Sequence, residues 1–367
     1  MKDNYIAVMT ADWQLCNHLP YAKPSDQEGV TDRLLDQVRV VKEIANITTR
    51  ARAHGIFFLG DYFEKRLLDA VTLRFGVELA IQLAELADFF VLPGNHDANS
   101  LSGNRFTPEV FAVIAHPKIR YLDGTLVTSP RPWLDFYSVP WCHLEIAQGK
   151  IEEARRKRVE GHTNILLLHH PILDCTDGGW RCDAGLDWGK ICDGWDAVYA
   201  GHFHEAQKFG LNGKYVGAPM EHDQRDAGSA PRGVYVVTFA PGVVSEEFVP
   251  ITSPRFHSVD WDEVKDGELD VGPGDYVRVG VSATHAEWVV RFAGVEAWAK
   301  GWRDHGVHID IFHKPIYQNE QRLNIGERPS QENILARYVE LADTTGLDPK
   351  RLLEIGRAIL EEVRSNG

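Results

Sequence analysis

Short, wholly apolar runs alternate along the chain with longer stretches of helical periodicity. Four of these runs stop abruptly at polar residues: Tyr5–Thr10 before Asp12, Ile56–Leu59 before Gly60-Asp61, Phe89–Leu92 before Pro93-Gly94-Asn95-His96, and Ile165–Leu168 before His169. A fifth, Ala197–Ala200, precedes Gly201-His202-Phe203-His204. Apolar runs without polar alternation predict strands covered on both faces. Between them, Leu34, Val38, Val41, Ala45 and Thr48 recur at helical spacing until His54-Gly55, and Val71 to Ala87 reads as a second helix. This β–α–β–α–β order predicts a layered α/β sheet. Each polar cluster falls just past a strand's C-terminal end, where such sheets place their sites.

The pattern changes after Gly217. Val234–Phe239 and Glu246–Ile251 read as two strands joined through Ala240-Pro241-Gly242. A stretch rich in Gly, Asp and Pro, Asp266 to Gly274, reads as a linker. Beyond it, Tyr276–Val281 and Val307–Phe312 read as strands flanking a helix over Glu287–Trp302, a βαβ-like unit. Trp288, Trp298 and Trp302 on that helix are expected in its core. Two terminal helices follow, the first capped by Ser330 and ending near Gly346, the second capped by Asp348 with Pro349 at its first position. The boundaries expected are 1–258 for a first domain, 259–325 for a small second one, and 326–367 for the helical pair.

Length and charge narrow the classes. A chain of 367 residues favours two domains, or one large domain with an appendage. No apolar run approaches the ~20 residues that span a bilayer, and the start of the chain does not read as a signal peptide. A cytoplasmic, non-membrane protein is expected. Five cysteines, an odd number without a CxxC pair, indicate neither a disulfide framework nor a zinc knuckle. The net charge of −14 gives no broad footprint for nucleic acid.

The chemistry lies in five motifs taken together: Asp12-Trp13-Gln14, Gly60-Asp61, Gly94-Asn95-His96-Asp97, His169-His170-Pro171 and Gly201-His202-Phe203-His204. Any one alone is a turn or a structural histidine. In sequence, each at a strand end, they supply carboxylate, amide and imidazole donors, the set a hard divalent pair accepts. One carboxylate can bridge two such cations. The pair would activate a water and neutralise phosphoryl charge.

These motifs resemble the calcineurin-like metallophosphoesterase superfamily, whose pattern is D-x-H, G-D, G-N-H-[DE], H and G-H-x-H. The resemblance implies a four-layer α/β sandwich and two divalent ions, Mn²⁺ first, with Mg²⁺, Fe²⁺ or Zn²⁺ as alternatives. It implies Asp12, Gln14, Asp61 and His204 at the first ion, with Asp61 bridging. Asn95, His169 and His202 would complete the second. His96 would contact the phosphate and protonate the leaving oxygen, and Asp97 would orient its imidazole. His170 reads as structural. Gln14 departs from the family's histidine, and His18 reads as a surface residue.

Further segments resemble the SbcD-type nuclease branch. They are His18-Leu19-Pro20-Tyr21 with the following helix, Tyr215-Val216-Gly217-Ala218-Pro219, Arg232-Gly233-Val234-Tyr235-Val236-Val237 and Phe248-Val249-Pro250-Ile251. This implies a DNA exonuclease or endonuclease subunit of end processing and repair. A small capping domain and terminal helices would go with it, as would an SbcC-type SMC-like ATPase partner and a homodimer. Two other readings stay open: a stand-alone enzyme for small phosphodiesters or phosphoproteins, and a non-catalytic scaffold in which Gln14 has disabled the site.

Overall fold

The computed structural model describes residues 4–19, 21–98, 106–122, 124, 127–228, 231–267, 269–316, 331–341 and 348–365. Its framework is two six-stranded sheets. The first has the order β14 (Val243–Pro250), β13 (Gly233–Ala240), β1 (Tyr5–Thr10), β2 (Gly55–Leu59), β3 (Asp88–Leu92), β4 (Ile119–Tyr121). The second runs β11 (Gln207–Phe209), β12 (Gly213–Tyr215), β10 (Ala197–Gly201), β7 (Thr163–His169), β6 (Leu134–Val139), β5 (Val127–Arg131). In the first sheet β1, β2, β3 and β4 are parallel neighbours, and in the second so are β6, β7, β10 and β12.

The sheets pack face to face, and strand alternation explains why their strands are apolar throughout. Ala7, Met9, Phe57, Leu59, Phe90 and Leu92 meet Ile165, Leu167, Ala197 and Tyr199 between the sheets. The alternate residues, Val8, Ile56, Phe58, Phe89 and Val91, face outward onto α1 (Asp32–Ala51) and α2 (Ala70–Leu86). Leu166, Leu168, Val198 and Ala200 likewise face the layer of α4 (Leu144–Arg156) and α5 (Trp188–Cys192); the short α3 (Val110–Val113) lies before β4. The result is the four-layer helix–sheet–sheet–helix sandwich. All parallel strands of both sheets deliver their C-terminal ends to one edge of the sandwich.

The later part of the chain forms a parallel three-stranded sheet, β15 (Phe256–Asp260), β16 (Tyr276–Ala283) and β17 (His308–Pro315). Its crossovers carry α6 (Trp261–Val264) and α7 (His285–Asp304). Strand β15 is absent from the sequence reading, and it changes the organisation. The stretch expected as a linker, Asp266 to Gly274, lies between β15 and β16 of one sheet, and positions 258 and 259 both belong to β15. The short run Phe256-His257-Ser258-Val259 between polar segments carries too little apolar signal to announce a strand. Val295 and Ala299 of α7 are buried, Ala299 in the core against which Trp298 and Trp302 pack and Val295 in an adjoining one with Trp288.

Arg33 of α1 anchors this unit. Its buried guanidinium lies 5.2 Å from the Phe256 ring and 5.4 Å from the Tyr276 ring, donates to the Glu221 carbonyl, and stands 4.0 Å from Asp36. The terminal pair is α8 (Gln331–Leu341) and α9 (Pro349–Ser365). Asp348 caps α9, accepting the Lys350 N–H at 3.0 Å. Ser330 and Gly346, expected at the ends of the first helix, lie outside the described residues, as do Pro20 and Met1 to Asp3. All five cysteines are free and buried. Among the described residues no helix is long and apolar enough to cross a membrane.

Candidate active site

The loops leaving β1 and β2 run side by side. Asp12 N–H donates to Gly60 O at 2.9 Å, Gln14 N–H to Asp61 O at 3.0 Å and Leu15 N–H to Tyr62 O at 3.0 Å. This pairing brings Asp12, Gln14 and Asp61 together. Asp12, Gln14, Asp61 and His202 all adopt positive φ, at 53°, 47°, 59° and 113°. Left-handed non-glycine residues cost about 1–3 kcal/mol each and persist where the surroundings over-determine them. Gly94 is required by crowding, because any side chain there would run into the Asp61 carboxylate.

Asn95 Oδ1 sits between two imidazoles, 3.0 Å from His169 Nε2 and 2.8 Å from His202 Nδ1. His169 Nε2 is also 3.3 Å from Asp61 Oδ2, while its Nδ1–H donates to Leu59 O at 2.7 Å. That bond fixes the tautomer and leaves Nε2 facing the site. Both Asp12 oxygens lie 3.2 Å from the His202 N–H. His204 turns Nδ1 to Asp226, at 3.2 and 3.3 Å, and Nε2 to the Gln14 amide nitrogen at 3.3 Å.

Gln14, Asp61, Asn95, His96, His202 and His204 line one cavity of about 360 Å³. Asp12 and His169 are fully buried and meet lining residues instead: Asp12 the His202 N–H, His169 the Asn95 and Asp61 side chains. His170 points away: its Nε2 lies 3.2 Å from the Cys142 N–H and burial pulls it down to about 3. His18 is exposed.

One expected contact is corrected. The two Asp97 oxygens do not serve the His96 ring; they accept backbone N–H groups of Tyr62 (3.2 Å), Phe63 (3.0 Å) and Gly94 (2.9 Å). Asp97 thus clamps the β2 and β3 loops together. The carboxylate beside the His96 ring is Glu64, whose Oε2 lies 3.2 Å from Nδ1. Sequence spacing could not tell these apart, because Asp97 adjoins the histidine in the chain while its side chain points back to the loop.

Electrostatics follow from burial. The Asp12 carboxyl is pushed up to about 7 by burial, and the Asp61 charge adds to the effect. Burial acts on Asp61 in the same sense, but His169, His96 and His202 hold it below the usual carboxylate range. Burial pulls His169 and His204 down, yet the neighbouring carboxylates outweigh it and raise each to about 9. Buried carboxylates thus draw protons onto imidazoles, and cations would meet the same need. The donors are oxygen and imidazole nitrogen, which suits divalent ions.

Among the described residues, two clusters have ligand atoms within 4.8 Å of one another: Asp61, His169 and His202, and Asp177, His204 and Asp226. In the second, Arg232 lies 3.3 Å from Asp226 and competes with a cation, so we read Asp226 as the group that orients His204. Asp177, Asp226 and His222, whose Nε2–H donates to Asp12 O at 2.8 Å, were not legible as site residues. The signal for His222 and Asp226 was the dense polar run Glu221 to Asp226 after Pro219, and that for Asp177 the Gly- and Asp-rich stretch between Cys175 and Cys192.

The family model of the calcineurin-like phosphoesterases matches residues 8–206, and the chain belongs to that family. It is therefore a metallophosphoesterase, a hydrolase of phosphate esters. Among solved structures, a dimetal phosphatase from Danio rerio is similar to it with 10% identity and a TM-score of 0.42 over 68% of this chain and 99% of that one. No curated protein matches the chain by sequence.

Proposed function

We propose that the chain is a phosphodiesterase with two divalent cations sharing the Asp61 carboxylate, and that its substrate is DNA. The observation that carries the catalytic part is the convergence of Asp61, Asn95, His202 and His204 on one cavity with His96, and of the buried His169 on Asn95 and Asp61 behind it. Asp12, Gln14, Asp61 and His204 would hold one ion, and Asp61, Asn95, His169 and His202 the other. Bound there, the cations would acidify a water and offset phosphoryl charge.

The protein's own groups do the rest. The Asn95 amide, held between the His169 and His202 rings, fixes the flank of the site where the second ion would lie. His96 carries the proton for the leaving oxygen. Burial pulls its imidazole down, but Glu64 and Asp61 outweigh this and raise it to about 10, so it is charged at neutral pH.

The DNA assignment draws on the SbcD-like segments and the separate α/β unit. A partner ATPase is favoured by the groove of about 530 Å³ between α8 and α9, lined by Ile334, Leu335, Tyr338, Gly356, Ile359 and Leu360. The net charge of −14 favours a second reading, a stand-alone enzyme for small esters. Assays of bis-p-nitrophenyl phosphate, cyclic nucleotides and DNA ends with Mn²⁺, with and without an SMC-like ATPase, decide between them. Release of nucleotides from DNA supports the nuclease reading. Turnover of small esters alone overturns it.

A further inference from the structure

We propose that Trp180 is a stacking platform for a nucleobase beside the scissile phosphodiester. The proposal deepens the phosphodiesterase reading above and rests on it. Trp180 is 53% exposed and lines the same cavity as His96, His202 and His204. A large indole left open at the rim of a polar site forgoes burial that folding would otherwise take. Its flat face suits a planar ligand.

The indole is held in place. It sits on a two-stranded hairpin, β8 (Thr176–Asp177) and β9 (Trp180–Arg181), whose turn residues Gly178 and Gly179 have φ of 55° and 81°. Asp177 accepts the His204 N–H at 3.0 Å, so the hairpin is tied to the backbone of the site. Glu205 accepts the Gly178 N–H at 3.2 Å. The indole and the Phe203 ring stand perpendicular to each other, at 6.2 Å and 86°, and Phe203 stacks on Tyr215 at 4.9 Å and 26°. The platform is thus ordered before substrate arrives, which removes part of the cost of binding. Phosphoserine or a bare phosphate offers it nothing, whereas any base presents a π-face. Stacking of one base on an aromatic side chain is worth on the order of tenfold to a hundredfold in affinity.

The test uses the full chain with Mn²⁺ and two dinucleotides, TpT and its analogue with abasic tetrahydrofuran units. The wild type is expected to favour TpT in kcat/KM by about tenfold or more. Trp180→Ala is expected to bring the ratio close to one, and Trp180→Phe to keep most of it. Calorimetric binding of AMP and ribose 5-phosphate to the same three proteins provides a readout independent of turnover. AMP is expected to bind the wild type about tenfold more tightly, a margin lost in Trp180→Ala.

A ratio unchanged by Trp180→Ala, or equal losses on both dinucleotides and both phosphates, overturns the proposal. So does a preference for ribose 5-phosphate, which would mean that the indole receives the sugar. A wild type that binds AMP with the expected margin but cleaves neither dinucleotide overturns the phosphodiesterase reading and leaves the platform standing.

Discussion

The Nδ1 of His96 lies 3.2 Å from a Glu64 carboxylate oxygen and 3.0 Å from the Glu64 carbonyl oxygen. Glu64 therefore both orients the ring and holds its charge. Replacing Glu64 by Gln removes the negative charge that raises the imidazole, so His96 loses its proton at a lower pH. The descending, alkaline limb of the pH–rate profile is expected to move toward acid. A limb that stays in place would show that His96 owes its charge to other groups.

Asp97 has a different task. Its buried carboxylate accepts three backbone N–H groups at the junction of two loops. Asp97→Ala leaves them without that acceptor and is expected to cost about 3–5 kcal/mol. Urea denaturation measures this. Unchanged stability with lost turnover would return Asp97 to the ring-orienting role expected from the sequence.

The contact between His204 and Asp226 is expected to set metal affinity. Asp226→Asn should weaken Mn²⁺ binding by about 10–100-fold, the usual effect of losing a carboxylate behind a ligating imidazole. Gln14→His should act in the opposite direction, since imidazole is the better ligand for Mn²⁺. Mn²⁺ titration followed by electron paramagnetic resonance reads both. Equal affinity in all three proteins would remove His204 and Gln14 from the metal site.

Arg33 links the sandwich to the smaller sheet. Its guanidinium is buried against the Phe256 and Tyr276 rings and near Asp36, so Arg33→Ala is expected to cost about 3–5 kcal/mol in unfolding free energy. Arg33→Lys should not restore it, because an ammonium lacks the planar fork and the stacking face. A lysine variant as stable as the wild type would contradict this account.

Much of the sandwich was legible in the sequence because its central strands are apolar on both faces and end at glycine or polar turns. Tyr5–Thr10 was read with the bounds it has in the structure. Short or edge strands such as Ile119–Tyr121, Gln207–Phe209 and Phe256–Asp260 were not, since their burial comes from tertiary partners rather than from local pattern. The same division holds at the site. Asp12, Asp61, Asn95, His169 and His202 follow or end strands whose pattern is visible in the chain, so their common edge of the sandwich could be read there. Glu64, Asp177, Asp226 and Trp180 could not, because loops and a two-residue-per-strand hairpin bring them in, and only the folded backbone decides where those point.

The most direct test of the shared Asp61 carboxylate is anomalous diffraction from crystals soaked in Mn²⁺. The account predicts two peaks about 3.5–4 Å apart, one on each side of Asp61, with His204 at the first and Asn95, His169 and His202 at the second. A single peak, or peaks that do not share Asp61, would contradict it.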